Sequence, residues 1–161
     1  MTVTTTTTHT TKEILDLVDQ YLDALDRADA KHQAEYIERS IQKAVEAGKT
    51  LDEATERVRS YASERSYAYS AQMGRRFIKI IQTSIDRGAY ADHRPMVHAF
   101  VEAETGLVFM PAGWSAPAKG ARYDLTDEAE RALLFANCGF SGGYLYAEQV
   151  AKAKATLRES E

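Results

Sequence analysis

The sequence predicts an α+β domain: an antiparallel sheet of three to four strands packed with helices, plus a long N-terminal helical hairpin region. Three observations predict it. Apolar residues recur at helical spacing through the first seventy positions, and after Gly74 the period shortens to two. Glycine and proline then punctuate a hairpin, with Glu104-Thr105-Gly106 as its turn and Pro111 at its end. The boundaries that follow are a disordered lead-in at 1–11, a helical region at 12–73, an α+β core at 74–146 and a polar helix or tail at 147–161.

Thr11 reads as the N-cap of the first helix, with acidic Glu13 near its positive end. Ile14, Leu15, Leu17, Val18, Tyr21, Leu22 and Leu25 form its stripe, and it ends near Arg27. A second helix runs from about Ala30 to Ala47 and stops at Gly48. Thr50 and Glu53 fit a capping box, which opens a third helix extending to near Tyr69. These stripes are narrow and the outer faces heavily charged, so the helices need a sheet or a partner subunit to pack on.

Arg76 to Ile85 is the strongest strand signal in the chain. Asp86-Arg87-Gly88 reads as a turn, and Ala89 to Arg94 as a solvated connection. Met96 to Ala103 is the next strand, with Val97, Ala99, Val101 and Ala103 on one side and His98, Phe100 and Glu102 on the other. Leu107 to Met110 returns, and Pro111 closes the ladder because it has no N–H to donate. A fourth helix opens at Thr126-Asp127-Glu128 and ends at Asn137-Cys138-Gly139. Gly139 to Tyr146 reads as a turn plus a short final strand, and the residues after it as a surface helix.

Composition bounds the function. Net charge is −4, with 44% hydrophobic and 27% charged residues, so there is no electrostatic footprint for duplex DNA or an anionic membrane. One cysteine, Cys138, excludes an intramolecular disulfide framework and argues against a cysteine-based zinc site. No run of 18 apolar residues is present, and MTVTTTTTHTT lacks the apolar core of a secretory signal. These features predict a protein of the cell interior.

Little here has the pattern of catalysis. His9, His32, His93 and His98 fall in four segments, none with a His or Cys at metal-ligand spacing. His98, beside Phe100, reads as a hydrogen-bonded structural histidine. Ser141 lies in Gly-Phe-Ser-Gly-Gly, which is not a nucleophile elbow. Gly139, Gly142 and Gly143 match no phosphate-loop motif. The expectation is no catalytic residue, no metal and no cofactor.

The loop after the hairpin is different. It carries the only tryptophan, Trp114, stiffened by Pro111 and Pro117, with Lys119 and Arg122 close behind. An indole beside two cations suits a planar base and a phosphate, with Lys119 and Arg122 facing one phosphate group across Gly120. The competing reading makes Trp114 a cap on the core and the two cations solvated. Arg75 and Arg76 form a further cationic lip or a charged strand end.

The segments Val97-His98-Ala99-Phe100, Thr105-Gly106, Pro111 to Arg122 and Gly142-Gly143-Tyr144-Leu145-Tyr146 resemble a family of small phage-encoded proteins. Its pattern runs VHxF, a TG turn, WxxPAKxxR and GGYLY, and the similarity covers roughly residues 74–146. Met110 stands where that pattern has lysine, and Ala112-Gly113 replaces a more polar stretch. The family resembles in turn the anti-Thoeris sponges, non-enzymatic oligomers that sequester cyclic ADP-ribose signals. The resemblance implies a homo-oligomer in the host cell cytoplasm that binds a small nucleotide ligand. Trp114, Phe109 or Phe100 would then sandwich the adenine. Lys119, Arg122 and Arg75 or Arg76 would neutralise the pyrophosphate, and Asn137 would add a polar contact. The alternatives are a host-takeover adaptor that binds a partner protein through its charged helices, and a small nucleotide hydrolase.

Overall fold

The computed structural model describes residues 8–85 and 94–159. The fold is α+β as the sequence predicts, with a long N-terminal helix, but the sheet has five strands. The turn expected at 86–88 and most of the connection up to Arg94 lie outside the described residues.

Helix α1 runs uninterrupted over Thr11–Glu46, where two helices had been expected. Asp26 to Lys31 contains no glycine or proline, and Ala28 and Ala30 are strong helix formers, so nothing breaks the backbone there. Its N-cap is Thr10 rather than Thr11, in a capping box closed by Glu13. At the far end Gly48 takes a left-handed φ of 102°, open to glycine without strain. Only the first half of the helix is sequestered. Ile14, Val18, Tyr21, Ala24, Leu25 and Asp29 are buried, and no residue beyond Asp29 is.

The capping box at Thr50 and Glu53 forms as expected, but helix α2 spans only Leu51–Tyr61. The last seven residues of the supposed helical region form strand β1, Tyr67–Met73. Aromatics alternating with small residues favour a pleated backbone over a third helical stripe. Asp29 fixes where β1 begins. Its Oδ2 accepts the backbone N–H groups of Ser66 (2.7 Å) and Tyr67 (3.1 Å), and Gln33 bonds to the Ser66 hydroxyl.

The sheet is an antiparallel meander in the order β1-β2-β3-β4-β5, continuing through β2 (Phe77–Ser84), β3 (Met96–Glu102), β4 (Leu107–Phe109) and β5 (Tyr123–Asp124). One face packs on the helices. Ile78, Ile80, Ala99, Val101 and Val108 join Ile14, Val18, Tyr21 and Leu25 in the main core. Gly106, at φ 76°, turns the β3–β4 hairpin close against that core. A Cβ there would meet Ile14 Cδ1 and Thr126 Cγ2 at 3.0 Å.

A bulge alters the expected face pattern of β3. Pairing steps from Ile80↔Ala99 to Ile81↔Val97, so His98 is the extra residue. Strict alternation would put His98 beside Phe100 on the outer face. The bulge turns it instead to the helix side, where it bonds to Tyr144.

Helix α3 (Glu128–Asn137) starts on an Asp127 cap and ends at Cys138, as predicted. The expected final strand is a 3-10 turn, Gly142–Leu145, because β5 already pairs with β4 and Leu145 fills the core. Helix α4 (Ala147–Glu159) is tied down by buried Val150 and by Lys154, 2.8 Å from Glu130.

Candidate functional site

The outer face of the sheet collects most of the aromatic residues that the sequence singled out. Residues paired across neighbouring strands share a face. Lys79 pairs with Phe100, and Phe100 with Phe109, so all three stand opposite the main core, with Phe77 beside them on β2. Phe77 meets Phe100 edge to face at 5.9 Å and Phe109 at 5.7 Å. Phe100 is buried although it lies outside the main core, so this face has an apolar floor of its own.

The loop after β4 folds over one end of that floor. Pro111 and Pro117 form an isolated bridge, and Ala118 N–H donates to Met110 O at 2.7 Å. The tip between them holds Trp114, 48% exposed, and Lys79 Nζ lies 4.8 Å from the centre of its ring. At the other end the Arg76 guanidinium sits 5.0 Å from the Phe77 ring and pairs with Glu102 at 3.0 Å. Arg75 is exposed beside it. The outer face thus joins Trp114, Phe109, Phe100 and Arg76 to a cation that sequence reasoning passed over, Lys79. Its signal was available: it alternates with buried Ile78 and Ile80 and so faces the way Phe77 does.

Arg122 does not act as a free anion clamp in this structure. Its Nε donates to Leu145 O (2.7 Å), and its Nη1 to Lys119 O (3.1 Å) and Gly120 O (2.9 Å). The fork is turned onto the backbone and pins the loop to the 3-10 turn, rather than sharing a phosphate with Lys119. Lys119 is exposed. Asn137 lies elsewhere: its Nδ2 donates to Leu133 O at 2.8 Å, and it lines a separate cleft of about 450 Å³ with Tyr123, Tyr144 and Tyr146.

On the helix side a hydrogen-bonded chain crosses the core. Tyr21 and Tyr144 hydroxyls lie 2.5 Å apart, and Tyr144 Oη is 2.7 Å from His98 Nε2. Burial pushes the His98 imidazole down to about 4 and raises both phenols above their ordinary range, so all three are neutral at pH 7. Burial also pushes the Cys138 thiol up to about 11, which leaves little thiolate for nucleophilic attack. A roomier hollow of about 920 Å³ beside the start of α1 is lined by Glu104, Asp124 and Asp127 and is ill suited to an anion. None of the described helices is long and apolar enough to cross a membrane.

No curated protein and no solved structure matches this chain. A protein-family model does match, over residues 2–147, and its description is that of a family of unknown function. The match spans nearly the whole sequence, the helical N-terminal half and the sheet with its Trp114 loop alike, and the chain therefore belongs to the DUF7717 family.

Proposed function

We propose that this chain binds a nucleotide-class ligand on the outer face of its sheet and holds it without chemical conversion. One observation carries the reading: a half-exposed indole with an ammonium 4.8 Å away, at the edge of a buried phenylalanine floor. An exposed aromatic surface stacks a base, at about 1–3 kcal/mol per base, and neighbouring cations take up phosphate charge. Lys79, Arg76 and Arg75 supply that charge, with Lys119 at the rim. A cyclic ADP-ribose isomer as ligand, and sequestration by a phage protein against host defence as purpose, extend the resemblance carried by the WxxPAKxxR and GGYLY segments. The platform is open to solvent, whereas sequestration needs a ligand removed from water on most sides. A second copy laid over this face closes it, so the reading includes a homo-oligomer.

The test is a thermal-shift titration of the full chain with cyclic ADP-ribose isomers, followed by recovery of the ligand. A ligand at 100 times its Kd stabilises by about 2.7 kcal/mol. The expected result is a raised melting temperature, intact ligand, and loss of the shift in Trp114→Ala and Lys79→Ala. No shift with any isomer sinks the reading, and recovery of cleaved ligand replaces it with a hydrolase.

A second reading rests on a different observation. The far half of α1 and helix α2 expose Tyr36, Val45, Leu51 and Tyr61. Such a surface suits a partner protein, in line with the adaptor alternative. Loss of complex formation in Tyr36→Lys/Leu51→Lys, with ligand shifts absent throughout, would favour it.

A further inference from the structure

Strand β1 lies at the edge of the sheet, with β2 on one side only. The hydrogen bonds at its two ends fix which way each backbone group points. Ser66 O accepts from Ile85 N–H at 2.8 Å, and Gly74 N–H donates to Phe77 O at 3.0 Å. In an antiparallel ladder alternate residues face the neighbouring strand, so Ser66, Ala68, Ser70, Gln72 and Gly74 turn to β2. Tyr67, Tyr69, Ala71 and Met73 turn their N–H and C=O groups outward. Asp29 confirms the phase, because its Oδ2 takes the Tyr67 N–H from that open side. Among the described residues nothing bonds to the backbone of Tyr69, Ala71 or Met73 beyond the edge, and Ser70 to Met73 are all exposed.

Native sheets blunt such an edge with lysine, proline or a bulge, or cover it. Tyr-Ala-Tyr-Ser-Ala-Gln-Met has no charge and no proline, and its pairing with β2 runs without a register shift. We propose that β1 pairs antiparallel with β1 of a second copy, about a twofold axis at Ala71, so that the two sheets become one. An axis at Ser70 would set Met73 opposite Tyr67, whose N–H Asp29 already holds. With the axis at Ala71, Tyr69 exchanges two hydrogen bonds with Met73 of the other copy, and Ala71 does so with its own counterpart. The strand suits itself in this register. Two methyl groups meet at the axis, each Tyr69 ring meets a flexible thioether, and no like charges oppose one another. Exposed Arg75, just past the strand, comes opposite Tyr67 of the other copy, beside Asp26 and Asp29. This interface is the rim of the sheet rather than its outer face, and it stands independently of the ligand reading.

The test is the mass of the full chain in solution, together with amide exchange along β1. A dimer is expected at about 100 μM, well above a micromolar Kd. In it, Tyr69, Ala71 and Met73 should exchange as slowly as Ser70 and Gln72, and lose that protection on dilution. Ala71→Pro removes an N–H that β2 does not use, so it should spare the fold and weaken dimerisation at least about tenfold. Ala71→Lys sets two like charges across the axis and should weaken it similarly, which covers the case of a proline variant that fails to fold. Trp114→Ala and Lys79→Ala should leave the dimer intact, which separates this contact from one over the outer face. A monomer at about 100 μM overturns the proposal. So does a dimer in which Tyr69, Ala71 and Met73 exchange fast, or one that persists unweakened in Ala71→Lys.

Discussion

Acid should destabilise this protein through His98, in a window set by one buried ring. The imidazole is held neutral at about 4, whereas in the unfolded chain it titrates near its ordinary 6.5. The unfolded state therefore binds more protons between those values, and stability falls as pH drops through 6.5 towards 4. Above pH 7 the contribution is flat. Integrated between pH 7 and pH 5, this one group costs about 2 kcal/mol. The groups packed on the ring are Tyr144 and Tyr69, neither of which charges in that range, so no nearby carboxylate offsets the loss. Urea denaturation at the two pH values gives the wild-type change, and His98→Gln, which still offers Tyr144 an acceptor, gives the background from every other group. The difference between them should move the midpoint by about 1 M urea, at a slope of about 2 kcal/mol/M. If wild type and His98→Gln lose equal stability between pH 7 and pH 5, the ring is not buried and neutral as described.

Gly106→Ala should cost about 2–3 kcal/mol in thermal or chemical denaturation, from its left-handed φ together with contacts at 3.0 Å from Ile14 and Thr126. Arg122→Ala should lower stability by about 2 kcal/mol because three carbonyls lose a charged donor, and Arg122→Lys should recover less than half of it, since a point charge cannot span all three. Equal stability of Arg122→Lys and wild type would show that the fork geometry is irrelevant. Asp29→Ala should cost about 3 kcal/mol and loosen β1 first, seen as faster amide exchange at Ser66 and Tyr67, whose N–H groups lose their acceptor.

The α+β class was legible because period and turn chemistry agree over β2, β3, β4 and α3. What the sequence concealed was long-range. Nothing local near Asp29 says that its carboxylate is buried at the start of β1, 38 residues away, so a break was read there instead of a through-going helix. β1 was absorbed into the helix read from the Thr50 capping box, although Tyr67 and Tyr69 already alternate with small residues, and β5 is only two residues long, too short for any periodic signal. The bulge that reverses His98 is a property of pairing between β2 and β3, not of either strand alone. The candidate site divides the same way. Trp114 and Arg76 stood out by residue type and spacing, and Phe109 and Phe100 entered only through the family resemblance. Lys79 needed the register, and the engagement of Arg122 needed the position of Leu145 O, a backbone atom that leaves no trace in a side-chain pattern.

Helix α1 spans about 54 Å at 1.5 Å per residue, yet only its first half is gripped by the core. With neither glycine nor proline along it, there is no joint at which the outer portion can swing independently. Asp29, where the helix's burial ends, accepts two hydrogen bonds from Ser66 and Tyr67, where the chain enters the edge strand of the sheet. Whatever sits on the protruding half therefore sits on the same continuous element that holds the start of the edge strand.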